Sequence, residues 1–559
     1  MDRIYMDINT SFTIQSLSHN QPILVLIPHE DDEINLAGSL IYKARQENIQ
    51  VICVFMTNGD WEYPGSVRIG EALESLRRLQ VPAEDIIFLG YPDGGLRGER
   101  AVMLHGRTEP VEVYGNRNTY GTKEHGDFAF SETGSHHAYT WDNLLHDMER
   151  VILKYHPSLI AATDFDFHPD HRICSIAFEQ VMGHILHREK DYHPLVFKGF
   201  CYSTGFESVP DFYGRHFYSS IPADRNGKVE TSLLDNPTYR WEERVRLPVC
   251  PECRDPMRHN VIFKALSAHI SQKAFGRADK IINSDEVFWL RRTDNLAYQG
   301  KLSASSGDAH YLADFMMMNS LDIGEENPTF DKYLWIPDEG DREKWCRIDF
   351  EDPKDISGLS FYGNVDQGNK IQKGRVSFSN GYTCEVGPLA DYGRETAVHF
   401  PEQKGITWIK FEILEASGTQ AGISEWEIFG RREEPFKILQ ITVDGHFAYT
   451  WHIYGDEHPV IGAYTFGTDS KELEWALNGK KCSLEEINHL INDLDRPVRI
   501  SVCVGTDPSV WSALDITPAS ISYRLWHGVS KKMDHFHVWI ERQREKRRHH
   551  RLKKMRRII

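Results

Sequence analysis

Short runs of unbroken apolar residues, each followed by residues at helical spacing, restrict the fold of this 559-residue chain more than any other feature. Ile23–Ile27 (ILVLI) and Val51–Met56 (VICVFM) lack polar alternation, as strands covered on both faces should. After the first run, Ala37, Leu40, Ile41 and Ala44 recur on one helix face. After the second, Ile69, Ala72, Leu73, Leu76 and Leu79 do the same. Ile86–Leu89 and Leu159–Ala162 read as two more strands, with helices predicted over 141–155 and around Ile173, Ile176, Ala177 and Val181. Parallel neighbours cannot be joined by a tight turn and need a crossover, which these helices supply. The pattern predicts an α/β domain with a doubly wound, mostly parallel sheet.

The alternation breaks in two places. Residues 94–140 are rich in Gly, His, Asn and Thr and have no period. So long a loop beside a parallel sheet is usually functional, and a lid is the expectation. Past Ser303–Gly307 (SASSG), read as a linker, strand-like runs are separated only by turns: Cys346–Phe350, Leu359–Tyr362, Arg375–Ser379, Trp408–Leu414 and Trp426–Phe429. That spacing predicts a β-sandwich. Arg431–Pro435 (RREEP) reads as a second linker. Beyond it, strand-like Ile438–Val443, Val498–Val504 and Ile521–Leu525 flank a short helix near Leu484–Leu494. The expected division is an α/β domain over 1–305, a sandwich over 308–432, a small β-rich domain over 436–526 and a basic tail over 527–559.

Two turns carry the chemistry. The first strand runs into Pro28-His29-Glu30-Asp31-Asp32-Glu33, and the fourth is followed by His168-Pro169-Asp170-His171. Both emerge at the carboxyl edge of the sheet, where open α/β sheets place their sites. Either turn alone reads equally as a helix cap or a surface turn. Together they bring imidazole and carboxylate donors from distant parts of the chain to one edge, a donor set that suits zinc or iron(II).

These two turns resemble the paired signatures of the PIG-L/LmbE family of zinc-dependent de-N-acetylases, over roughly residues 20–290. Thr57-Asn58-Gly59-Asp60, Arg68 with Glu71, Tyr91-Pro92-Asp93-Gly94 and Ala265–Gln272 (ALSAHISQ) support the resemblance. It implies a Rossmann-like fold and removal of acetyl groups from N-acetylglucosamine conjugates or related amides. It implies His29, Asp32 and His171 as ligands to zinc, with iron(II) as the alternative. Asp31 would be the general base, His168 the oxyanion-stabilising group, and Asp170 the carboxylate that orients His168 and favours its imidazolium form. Arg68 and Asp93 would contact sugar hydroxyls. The roles suit the reaction. An amide is a poor electrophile, so hydrolysis needs an activated water, a base for its proton and a donor for the oxyanion. Two positions depart from the family pattern. Glu30 stands where Pro is commoner, and Asp166 where some members carry Tyr. Tyr114, Tyr120, Tyr139, His125, His136 and His137, in the 94–140 loop, are candidates for the missing tyrosine's role.

Residues 308–430 are similar in pattern to discoidin or galactose-binding sandwiches, which implies glycan contact. Trp335, Trp345, Trp408 and Trp426 are candidate stacking platforms, weighed against the plainer reading as core residues. Cys250 and Cys253 (VCPEC) resemble half a zinc knuckle, but no second pair follows at ribbon spacing, and two loop thiols are expected.

Charge is divided unevenly. The chain carries −18 overall, but residues 531–559 hold twelve Lys/Arg against three acids, a net +9 that leaves −27 for the rest. An acidic body argues against a specific nucleic-acid partner. The basic tail reads first as a solvated charge run, then as a contact for an anionic membrane surface or an acidic polymer. There is no apolar run of about 18 residues and no leader-like start, and the nine cysteines are scattered. A cytoplasmic protein, peripheral to the inner membrane surface if the tail engages lipid, is the expectation. Its substrate would be an N-acetylated sugar or glycoconjugate. The alternatives are a catalytically silent glycan-binding protein on the same scaffold and a hydrolase of a non-sugar amide.

Overall fold

The computed structural model describes residues 9–94, 108–166, 168–202, 206–207, 216–222, 224–225, 228–229, 238–254, 257–273, 278–317, 333–431, 433–455 and 457–555. Its first domain is built on a seven-stranded sheet. The strands are β1 (Ile23–Ile27), β2 (Val51–Thr57), β3 (Ile86–Tyr91), β4 (Leu159–Thr163), β5 (Leu195–Gly199), β6 (Val245–Pro248) and β7 (Asp285–Arg291), in spatial order β6-β7-β5-β4-β1-β2-β3. Strands β1 to β5 are parallel, and β6 and β7 add an antiparallel edge.

Side-chain parity explains why the sheet needs helices on both faces. Leu24 and Leu26 of β1, with Ile52, Val54 and Met56 of β2, join one core with helix α3 (Trp141–Tyr155) and helix α4 (Pro169–Arg188). The alternate residues Ile23, Val25, Ile27, Val51, Cys53 and Phe55 join another with helix α1 (Asp32–Gln46) and helix α2 (Gly65–Arg78). Full burial of each such aliphatic side chain is worth about 1.5–3 kcal/mol, so no strand of this composition is stable with one face in water.

Register fixes where the site lies. Ile23 pairs with both Val51 and Leu159, so β1, β2 and β4 end at the same edge. The chain leaves β1 towards β2 on one side, while β4 lies on the other. The crevice between the ends of β1 and β4 is therefore the switch point of the sheet. The two histidine-bearing turns leave from those two ends.

The second domain is a β-sandwich. A five-stranded antiparallel sheet (Gly300–Ala304, Trp345–Ile356, Gln403–Ser417, Lys370–Phe378, Thr383–Val386) faces a three-stranded one (Glu395–Val398, Gly358–Gly363, Ile423–Phe429). Gly300–Ala304 is an edge strand of this sandwich, so part of the expected linker belongs to the sheet. Trp335 and Trp426 are fully buried core residues. Trp345 and Trp408 are half-buried, with Lys410 and Arg347 over their rings.

The third domain packs a three-stranded sheet around Ile438–Val443 against a five-stranded sheet that includes Val498–Val504 and Asp507–Pro518. A short helix, Leu484–Leu490, starts on a capping box formed by Ser483 and Glu486. The segment Ile521–Leu525, expected as a strand, opens helix α6 instead; α6 runs Ile521–Leu552 and is capped by Ser520. Helix α5 (Val261–Leu266) packs beside α2. The tail is not a free charge run: Val538 joins the core of the first domain and Asp534 pairs with Arg258. Among the described residues, no helix is long and apolar enough to cross a membrane.

Candidate metal centre

Both turns deliver their side chains into the crevice between β1 and β4. His29 Nδ1 lies 3.2 Å from Asp32 Oδ2 and 3.1 Å from His171 Nε2, and His171 Nε2 lies 3.1 Å from Asp32 Oδ2. The three atoms form a nearly equilateral triangle, and all three residues are buried. Donors held about 2.0–2.2 Å from one zinc ion at tetrahedral angles stand roughly 3.4 Å apart, so the triangle fits a single small cation. Its donors, two imidazole nitrogens and a carboxylate oxygen, are those such an ion takes.

Outer contacts decide which nitrogen of each imidazole faces the centre. Asp170 Oδ2 is 3.2 Å from His29 Nε2, and Asp166 Oδ2 is 2.6 Å from His171 Nδ1. A carboxylate behind a ligating histidine fixes its tautomer and orientation. Burial alone would lower the His29 pKa, but Asp93, Asp170 and Asp32 outweigh it and raise the pKa well above the ordinary value. Burial likewise opposes the His171 proton, and Asp166 with Asp32 still lifts its pKa to about 9. These shifts express the demand of clustered carboxylates for positive charge. Cys201, buried beside Asp32 and His171, adds a thiol to the cluster.

The backbone places Asp31 apart from Asp32. Asp32 is the first residue of α1, while Asp31 stands at the position before it with φ +120°, a region that residues with a side chain rarely adopt. Such strain costs on the order of 1–3 kcal/mol and persists only where the surroundings fix it. Here the Asp31 N–H donates to Glu33 Oε2 at 2.8 Å, and Glu33 Oε1 meets His269 Nε2 at 2.6 Å. Ser271 holds Glu71 through its N–H and hydroxyl, at 2.9 and 2.6 Å. The ALSAHISQ segment thus braces the first turn and α2 from outside.

Arg68, expected to touch sugar, turns its guanidinium to protein. It reaches Asp31 Oδ1 at 3.1 Å and the carbonyls of Glu30 and Gly59. Gly59 sits at φ +52°, and a Cβ there would strike the Glu30 carboxyl and crowd Arg68. Glu30 itself is fully buried, and among the described residues neither of its oxygens has a hydrogen-bond partner. Burial pushes its pKa up to about 8 against the opposing pull of Arg68.

His168 departs from expectation in its charge. Burial, then the charges of His29 and His171, push its pKa down to about 2. Asp170, expected to orient it, spends Oδ2 on His29 and on the Gly94 N–H at 2.9 Å, and stands 4.0 Å from His168 Nδ1. What His168 Nδ1 accepts instead is the Asp170 backbone N–H, at 3.2 Å, as the cap of α4. That contact leaves the Nε2 atom of a neutral imidazole as its donor.

Asp93 Oδ1 lies 3.8 Å from His29 Nε2 at the crevice wall. Its N–H donates to Asp60, whose other oxygen accepts the Tyr120 hydroxyl at 2.5 Å. Of the loop candidates, Tyr120 is therefore tied to the site's edge. Tyr139 is buried against Tyr91, His136 binds Asp127 and His137 binds Asp147, while Tyr114 is partly exposed. Residues 95–107 of the expected lid lie outside the described residues. Sequence reasoning noted Asp166 only as a departure from the family pattern, and it missed Cys201 and Tyr202, whose ring stacks on His171 with centroids 4.7 Å apart. The HxDD and HPDH spacings pick out candidate ligands, whereas residues behind a candidate ligand need no fixed spacing. Cys250 and Cys253, read as plain thiols, are buried in the apolar core.

Residues 24–182 match the PIG-L family, described as GlcNAc-PI de-N-acetylase, and form a PIG-L domain. Residues 295–429 match DUF7402, a domain of unknown function. No curated protein matches the chain. Among solved structures, the chain is similar to an N,N'-diacetylchitobiose deacetylase from Pyrococcus horikoshii, at 21% identity and a TM-score of 0.21. That match covers 31% of this chain and spans about half, 52%, of the deacetylase. The lectin domain of lectinolysin is similar at 18% identity and a TM-score of 0.20, covering 24% of this chain and 95% of the lectin domain. The Clostridium perfringens module CpGH89CBM32-5 is similar at 17% identity and a TM-score of 0.19, covering 24% of this chain and 96% of the module.

Proposed function

We propose that the first domain is a metal-dependent amide hydrolase that removes the N-acetyl group from an amino sugar in a glycan or glycoconjugate. One observation carries the reading: inside the segment that matches the PIG-L family, a buried His29–Asp32–His171 triangle stands beside a carboxylate, Asp31, that is not part of it. His29 and His171 would hold the ion, zinc or iron(II), through Nδ1 and Nε2, and Asp32 through Oδ2. Such an ion, when bound, acidifies a water and polarises the amide carbonyl.

The chain's own groups supply the rest. Asp31, held by Arg68, takes the proton from the attacking water and later delivers it to the departing amine. His168 donates its Nε2 proton to the oxygen that becomes negative, as a neutral donor rather than the imidazolium first expected. Asp170 and Asp166 keep the two ligand imidazoles in their metal-facing tautomers. Arg68 acts by positioning Asp31, and Asp93 is the group left facing sugar hydroxyls.

Metal analysis combined with acetate release from N-acetyl sugars, nucleotide sugars and polymers tests the reading. Bound metal, acetate release, and an Asp31→Asn variant that keeps the metal but loses roughly 10²–10⁴-fold in turnover are expected. Bound metal with tight glycan binding and no acetate from any amide would establish the silent binding protein instead. Release from non-sugar amides alone would move the substrate out of the carbohydrate class.

A further inference from the structure

Helix α6 has two faces of different character. Tyr523, His527, Ser530, Asp534, His537 and Val538 face the protein. Tyr523 stacks on His452 at 3.8 Å, Ser530 and Asp534 bind Arg258, and His537 lies against Phe263. The opposite face carries Ile521, Leu525, Trp526, Val529, Met533, Phe536 and Trp539, all exposed. Trp526, Phe536 and Trp539 are 63%, 61% and 56% exposed, which is far outside the usual place of such side chains. The spacing of four, four, four and three residues from Ile521 to Phe536 keeps this stripe on one side for about four turns of helix.

The same side changes character along the axis. Beyond Ile540 it continues through Arg544, Arg547, Arg551 and Lys554, all exposed. The helix contains only three acids, Asp534, Glu541 and Glu545. Asp534 is buried on the docked face, and the acids' spacing of seven and four puts Glu541 and Glu545 on that side too. The outward face therefore presents an aromatic and aliphatic stripe that runs into a basic stretch, in which Arg544 pairs with Glu541 and basic residues far outnumber acids.

We infer that this face lies on an anionic phospholipid bilayer, with α6 in the plane of the interface. Trp and Phe are favoured at the headgroup boundary, and Lys/Arg gain from a negative surface. The charge pattern decides between this partner and a second copy of the chain. Parallel pairing through the stripe would set Arg547, Arg551 and Lys554 against their own counterparts, and antiparallel pairing in full register would set them against apolar residues. The bilayer offers an apolar layer and an anionic layer at once. The basic end of α6 also reaches the catalytic edge, where His549 lies 6.2 Å from the ring of Tyr63, just before α2. Binding would bring that edge close to the lipid surface. The inference does not depend on acetate chemistry.

Co-sedimentation of the full chain with vesicles tests it. Binding to vesicles that contain phosphatidylglycerol, little binding to pure phosphatidylcholine, and loss at high salt are expected. Combined Arg547→Gln, Arg551→Gln and Lys554→Gln should weaken binding by about fivefold per residue. Combined Trp526→Ser and Phe536→Ser should weaken it at least as much, with the circular dichroism of the fold unchanged because both side chains point outward. Three outcomes would overturn the inference. One is equal vesicle binding by the Trp526/Phe536 variant. Another is a dimer in solution that this variant dissolves, without vesicle binding. The third is retention on a soluble polyanion without vesicle binding.

Discussion

Asp166 holds three groups at once. Its Oδ2 meets His171 Nδ1 at 2.6 Å and accepts the Tyr202 N–H at 3.2 Å, while Oδ1 accepts the His168 N–H at 2.8 Å. One carboxylate thus sets the tautomer of the His171 imidazole, the start of α4 and the place of the aromatic ring stacked on His171. Asp166→Asn keeps shape and size but removes the charge that demands a proton on His171 Nδ1. Metal affinity should fall by about 10–100-fold, read by competition with a chelator, while the fold persists. A loss no larger than that of an exposed Asp→Asn change would mean that Asp166 is only a cap. The contrast with Asp31 is instructive. Asp31 is distinguished by backbone, at φ +120°, and Asp166 by what lies behind it, and neither property shows in the spacing of residues. That His29, Asp32 and His171 would meet was legible because HxDD and HPDH reach into the crevice from two neighbouring strand ends. The partner of each ligand was not, because Asp170 serves His29 across 141 positions of sequence and not its neighbour His168.

Strands β1 to β4 were legible because burial on both faces leaves their sequences no charged residues. Strands β5 and β7 escaped notice for the opposite reason. Leu195–Gly199 contains Lys198, and Asp285–Arg291 contains Asp285, Glu286 and Arg291. Lys198 is fully buried and is compensated by Ser175 at 2.8 Å and Glu179 at 2.7 Å on α4. A strand can carry such a charge only when the tertiary structure supplies the partner, so the sequence pattern alone argues against it. Helix α4 also shows where close packing governs an element. Gly183 lies on its buried side, and a Cβ there would collide with the backbone carbonyl of Asp314, in the segment that follows the sandwich's edge strand Gly300–Ala304. Gly183→Ala gains up to about 1 kcal/mol of helix propensity but must push that segment away, for a net loss of roughly 1–2 kcal/mol. Gly70→Ala, on α2 with nothing within 4 Å of the added carbon, should gain about 0.5–1 kcal/mol instead. Urea midpoints of the two variants check the pair, and a shift of the same sign in both would refute the packing argument.

The junction between the first domain and the sandwich joins the molecule through buried acids. Glu425, on Ile423–Phe429, accepts the Tyr298 hydroxyl at 2.8 Å and the Phe315 N–H at 3.0 Å, and its neighbour Glu427 accepts the Tyr362 hydroxyl at 3.0 Å. Opposite them, Arg291 ends β7 of the first domain. With Arg291, Trp289 and Tyr464, Glu427 also lines a cavity of about 560 Å³ that all three domains share. Burial drives the Glu427 pKa up to about 8 despite the pull of Arg291. A carboxyl held above its unfolded value favours the folded state while it is protonated. That stability is fully present below about pH 4.5 and is lost as the pH rises through about 8. The full loss from this group is on the order of a few kcal/mol at most. The protein should therefore unfold at lower urea at about pH 9 than at about pH 6, with the acids of the junction contributing. Glu427→Gln keeps the partner for Tyr362 without the titration, so its urea midpoint should fall less over the same interval. A variant whose midpoint falls as steeply as that of the parent would place the origin of the pH dependence elsewhere.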